Sequence, residues 1–173
     1  MACLTNGRTR SCTTKISGGS NFLYLADWQD LASVTVGAGG DVTGITMVGP
    51  AVFYKYEFAP ESAQFTEELT NENCATSVTQ QYVMNWRGRN QNDRNQIMEF
   101  ADCCCGMVAI HGENTGLAWI WGTSETEEVF LLTASGASGL AKADANQEII
   151  TLQAIATEKA RVFTPGEAGI PVV

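Results

Sequence analysis

The stretch TSVTQQYVMNWR, Thr76 to Arg87, and the stretch NDRNQIMEFADCCCG soon after it, Asn92 to Gly106, decide the fold class between them. In the first, Val78, Tyr82, Met84 and Trp86 recur at every second position, with Gln80 in the same set, while Val83 and Asn85 point the other way. A period of two marks a strand with one buried face. In the second, Ile97, Phe100, Ala101 and Cys104 stand at i, i+3, i+4 and i+7, which is one face of a helix. The spacing predicts a helix over about 92–105. Asn90 or Asn92 can cap its start, and Asp93 lies in the first turn, where the peptide dipoles favour an anion. Gly106 suits the left-handed residue that follows a helix. The helix is expected to lay its apolar face on the outside of the sheets.

Away from this junction the chain reads as strands. Upstream, Gln64 to Thr70 alternates Phe65 and Leu69 against Thr66, Glu68 and Thr70, with Glu67 as an exception on the apolar face. With Thr76 to Arg87 it forms a predicted antiparallel hairpin joined by a loop of several residues at Asn71-Glu72-Asn73. Phe22 to Ala26 and Val52 to Phe58 read as strands, the second stopped by Pro60. Between them, strand-like fragments (Ser33 to Val36, Ile45 to Val48) flank Gly37-Ala38-Gly39-Gly40-Asp41, a hairpin loop. Downstream, Met107 to His111 and Leu117 to Trp121 flank the turn Asn114-Thr115-Gly116. Glu128 to Ala134 is a further strand, followed by a small-residue loop from Ser135. Glu148 to Thr157 sets Ile150, Leu152, Ala154 and Ala156 against Thr151, Gln153 and Thr157. The organisation expected is an N-terminal arm over 1–21, one β-rich domain over 22–165, and a loose tail over 166–173 marked by Pro165 and Pro171.

Composition bounds the function. A chain of 173 residues, 45% hydrophobic and 17% charged, can bury a core without disulfides or metal. It holds no apolar run of membrane-spanning length, so no membrane partner is expected. The first residues, Met-Ala-Cys-Leu-Thr-Asn-Gly-Arg, lack the apolar core of a secretory signal, which points to synthesis in a cytosol. The net charge of −9 opposes a wrapping or reading role on nucleic acid, where Lys and Arg must neutralise phosphates. It permits a wall that DNA slides past, and ordinary solubility accounts for the charge equally well.

Candidate chemistry is sparse. Cys103, Cys104 and Cys105 could ligate zinc with His111, the only histidine, but consecutive helical residues point about 100° apart and cannot converge on one ion. A Cys-His nucleophile pair has no flanking motif, and the end of a helix disfavours a thiolate. The cysteines are expected to be reduced, buried and packed. Glu125, Glu127 and Glu128 read as a solvated turn or a charge patch between subunits. No metal, cofactor or catalytic residue is expected. Arg87, Arg89 and Arg94 form the one basic cluster around the start of the helix, and read as partners for carboxylates on a neighbouring copy or as a solvated loop.

Several features occur together in a telling order. Met-Ala-Cys-Leu and Cys12 lead to Gly18-Gly19 and the strand Phe22 to Trp28; Phe53 to Phe58 and Ser62 to Glu67 follow. Then come Asn92 to Ile97, Val108 to Ile110, Gly116 to Gly122 and the final strand. From about residue 1 to 165 this order resembles the tail tube (major tail) proteins of tailed bacteriophages. The chain departs from that pattern in Cys103-Cys104-Cys105 and in lacking a glycine-bounded start to the last strand. The resemblance implies a mainly β fold, a two-sheet antiparallel sandwich or barrel with one flanking helix. It implies a structural virion protein, assembled in the host cytoplasm, whose copies form stacked, hexameric rings around a DNA conduit. Its partners would be copies of itself, other phage tail proteins, and DNA passing without specific binding. A head-to-tail connector, a capsid decoration protein or the inner tube of a contractile injection system would share this build. A small cytosolic metal-binding or enzyme domain using Cys103 to Cys105 and His111 is a different class of reading.

Overall fold

A computed structural model describes residues 18–59, 61–141 and 144–172. The strands are β1 (Ser20–Asp27), β2 (Leu31–Val36), β3 (Val42–Met47), β4 (Tyr54–Glu57), β5 (Ala63–Glu72) and β6 (Ala75–Arg87). After the helix α1 (Gln91–Asp102) come β7 (Met107–Glu113), β8 (Ala118–Trp121), β9 (Phe130–Ala137), β10 (Gln147–Ala156) and β11 (Arg161–Val162). The protein is mainly β, with antiparallel sheets and one α-helix, as the alternating segments and the single change of period predict. A five-stranded sheet runs β11-β8-β7-β1-β4, a four-stranded sheet runs β5-β6-β10-β9, and β2-β3 stands as a separate hairpin.

The two larger sheets face each other across one core. Leu23, Leu25, Ala109 and Trp121 reach into it from the first, and Tyr82, Met84, Ile150 and Leu152 from the second. The inward residues of β6 and β10 are those the period of two picks out. A second core lies on the opposite face of the five-stranded sheet, where Tyr24, Val108, Ile110 and Ile120 meet Val42, Phe53, Phe163 and Ile170. Val34 and Ile45 of the β2-β3 hairpin pack against it. β1 and β7 are therefore covered on both faces, which explains their near-continuous apolar runs.

Several local expectations are corrected. The segment expected as a loose tail closes the second core: Ile170 is buried, and the Phe53 N–H donates to Pro171 O at 2.8 Å. Ser20 and Asn21 belong to β1 rather than to an arm, and the rest of that arm, up to residue 17, lies outside the described residues. The β5-β6 loop is two residues long, with Asn73 and Cys74 both at positive φ (52° and 65°), as the twist of a tight hairpin demands. The small residues Ser135, Gly136 and Ala137 continue β9 instead of forming a loop.

The helix also differs in detail. Asn90 is its cap, its side chain accepting the Asp93 N–H at 2.9 Å. The helix ends at Asp102, so the left-handed Gly106 (φ 74°) turns the chain into β7 and does not directly follow the last helical residue. Of the predicted face, Phe100 is buried among Tyr56 and Trp86, Ile97 is partly buried, and Ala101 and Cys104 are exposed. The i+7 position fails because the helix stops before reaching it. Cys103 packs on the core instead.

Candidate functional site

The outer face of the four-stranded sheet carries a regular pattern of polar side chains. Its outward residues form cross-strand rows: Gln64, Val83, Thr151 and Thr133 in one, and Thr66, Gln81 and Gln153 in the next. Amide side chains tie the rows together, Gln81 Nε2 donating to Gln153 Oε1 at 2.9 Å and Asn85 Nδ2 to Gln147 Oε1 at 2.6 Å. Apart from Val83 these are hydroxyl and amide residues that period two leaves facing away from the core, and Phe130, Ile149 and Ile155 are apolar side chains exposed on the same sheet. The one cationic side chain among them is Arg87, at the end of β6.

Both edges of this sheet are uncovered by another strand among the described residues. β5, ten residues long, carries Glu67, Glu68 and Glu72, and β9, FLLTASGA, carries no charge. Neither holds the lysine or proline that commonly blunts an edge. Leu69 on β5 and Phe130 and Leu132 on β9 are exposed. Glu67, the exception in the strand pattern, points inward, where it accepts the Ala160 N–H at 2.6 Å and Gln80 Nε2 at 3.2 Å.

The structure separates the three arginines. Arg89 Nε donates to Glu148 Oε1 at 2.7 Å, and Arg94 Nε lies 3.7 Å from the same oxygen. Both are thus engaged by a carboxylate of their own chain, with the Arg94 side chain still more than half exposed. Arg87 is exposed and makes no ion pair among the described residues. Glu148 is only 5% exposed, and Gly136 opposite it makes the room: a Cβ there would sit 2.1 Å from Glu148 Oε2. Sequence reasoning missed Glu148, although it shares the parity of Ile150 and Leu152, which foretells an inward carboxylate in need of a cationic partner.

His111 and the cysteines are not brought together as a site. His111 is fully buried between the rings of Phe65 (4.2 Å) and Tyr82 (5.5 Å), and neither ring nitrogen has a hydrogen-bond partner. Burial alone lowers its pKa to about 3, so it is neutral at pH 7. The Cys103 thiol donates to Asp27 Oδ1 at 2.9 Å, and burial followed by that carboxylate pushes its pKa up to about 12. Such a thiol is a poor nucleophile. Cys74, Cys104 and Cys105 are exposed, against the expectation that they pack, because Cys74 forms the hairpin turn and the other two follow the end of the helix. Among the described residues no group of three His, Cys, Asp or Glu side chains is placed to hold a metal ion. Likewise no helix there is long and apolar enough to cross a membrane. Comparison with known proteins finds no matching family model, no matching curated protein and no matching solved structure.

Proposed function

We propose that the protein is a structural virion subunit, not an enzyme, whose copies form the tail tube of a bacteriophage. The observation that carries this reading is the pair of long edges, neither paired with another strand among the described residues, on a sheet whose outer face carries many hydroxyl and amide side chains. Pairing β5 with β5 of a second copy would set glutamates against glutamates, whereas β9 brings no charge to β5. The favoured contact is thus heterologous, one copy's β5 on the next copy's β9, and a heterologous contact that closes makes a ring. Ring closure removes both edges and turns the outer face of the sheet into the wall of a channel. That wall holds a polyanion without gripping it, because phosphate binding needs clustered Lys and Arg, and the face offers only Arg87. Stacked rings would form the conduit of a virion tail, assembled in the host cytoplasm with other tail proteins. Negative-stain microscopy of the concentrated protein tests this, with hollow cylinders or rings as the expected result. A protein that stays strictly monomeric at high concentration overturns it.

A further inference from the structure

His111 of β7 is fully buried between the two large sheets, and neither of its ring nitrogens has a hydrogen-bond partner among the described residues. The ring that closes over it belongs to β5: Phe65 lies 4.2 Å from the imidazole and 5.2 Å from Trp121. β5 is lightly held. Only Ala63 of its ten residues is buried, against five of the ten in β10. An element with so few buried contacts opens at a lower free energy than a core strand.

The surroundings of the imidazole leave no place for a proton. β1 brings Leu23, and β10 closes the same core with Leu152. β8 brings Trp119 and Trp121, whose indole N–H groups are donors and cannot accept one. Tyr82 of β6 lies 5.5 Å away, its hydroxyl already donating to Ser20 Oγ at 2.7 Å. On β5 the titratable group is Glu67, whose Oε1 already accepts the Ala160 N–H and Gln80 Nε2. Gln80 Oε1 is a buried acceptor without a partner, but its amide is held in place by Glu67 and by the Glu158 carbonyl. A charge with no acceptor is costly in such a site. Burial accordingly lowers the His111 pKa to about 3, whereas an imidazole in water takes a proton below about pH 6.5.

We propose that His111 is an acid-operated latch on β5: proton uptake by the imidazole drives Phe65 and the β5 edge off the core while the rest of the domain stays folded. Closed β5 excludes the proton. Open β5 exposes the ring, which takes a proton from water and holds the strand open. From pH 7 to pH 5 the ratio of open to closed strand rises about 25-fold. The latch stands without the tube reading, and only its consequence rests on that reading: β5 is the edge the ring would join to β9, so acid would loosen the ring at that seam.

Native-state hydrogen exchange of the full chain, monomeric and in urea too dilute to unfold it, tests the latch. Rates are corrected for the intrinsic pH dependence of amide exchange. Protection of the β5 amides bonded to β6 should fall about 25-fold from pH 7 to pH 5 and be insensitive to the urea. The amides of β10 should stay more protected and respond to it. Protection lost together in β5 and β10, with one urea dependence, would mean that only global unfolding admits the proton, and would overturn the latch. So would β5 protection that ignores pH, the sign of an imidazole charged in place against Gln80. His111→Leu should abolish the pH dependence and Glu67→Gln should keep it, and the reverse pattern would assign the switch to the carboxylate instead. The urea comparison needs the parent chain alone, so it decides the matter even where a variant fails to fold.

Discussion

The two large sheets share one core and differ in what lies behind them. β1 and β7 of the five-stranded sheet are covered again on the far side by the β2-β3 hairpin and the C-terminal segment, so nearly every residue is buried. β6 and β10 of the four-stranded sheet bury alternate residues and leave the others against solvent. The difference teaches where stability and function can be separated. A substitution in β1 or β7 strikes a core whichever way the side chain points. In β10 the same substitution strikes a core or a free surface according to the parity of its position.

Isoleucine makes the comparison with the chemistry held constant. Ile110 of β7 and Ile150 of β10 are fully buried, in different cores, whereas Ile155 of β10 is 57% exposed. Ile110→Ala and Ile150→Ala should each lower the unfolding free energy by about 2–5 kcal/mol, and Ile155→Ala by about 0.5 kcal/mol or less. Urea denaturation of the three variants measures this, and equal losses would erase the distinction between the sheet faces.

A titration sharpens the contrast from inside the shared core. His111 has a folded pKa of about 3 against about 6.5 in an unfolded chain. Between those values the unfolded chain binds a proton that the folded one refuses, so stability is lost as pH falls below about 6.5. From pH 7 to pH 4 this group alone contributes a loss of about 3 kcal/mol. His111→Leu should flatten the pH dependence of chemical denaturation by that amount, and an unchanged slope would mean that the imidazole finds a proton acceptor when charged.

Smaller again is the effect at the one inward charge of β10. Glu148→Gln keeps the shape and removes the charge that answers Arg89 and Arg94. Breaking a fully buried pair costs about 3–5 kcal/mol. Arg89 is a quarter exposed and Arg94 more than half, so water recovers part of that and about 1–2 kcal/mol is expected. A loss that shrinks in the Arg89→Gln background, in a double-mutant cycle, assigns it to the pair.

Much of this fold was legible. Strands covered on one face announce themselves, and Val78 to Trp86 and Ile150 to Ala156 gave both element and inward face correctly. What failed depended on partners distant in sequence. The C-terminal segment looks loose until Phe53 and the β2-β3 hairpin supply a core for Phe163 and Ile170. Gly136 looks like loop punctuation until Glu148, opposite it in the sheet, needs its missing side chain. The arginines were legible as a cluster, but the partner of Arg89 and Arg94 was not, since Glu148 lies on a strand paired far along the chain.

The smallest effect on folding should accompany the largest effect on assembly, and β9 is where the two part. Leu132 is 49% exposed on an edge strand that carries no charge of its own. Leu132→Lys places there the residue that sheet edges commonly use to refuse a neighbour. Little apolar contact is lost within the subunit, so the unfolding free energy should change by about 0.5 kcal/mol or less. If β9 meets β5 of the next copy, each interface of the ring receives one lysine at a strand junction to which β9 otherwise brings no charge. The variant should then remain monomeric by light scattering at concentrations where the parent polymerises. Lysine facing the glutamates of β5 could instead find a partner, so Leu132→Pro serves as the second variant, removing a backbone donor that no charge can replace. Folded Leu132→Lys and Leu132→Pro variants that both still polymerise would place the contact between copies elsewhere than on this edge.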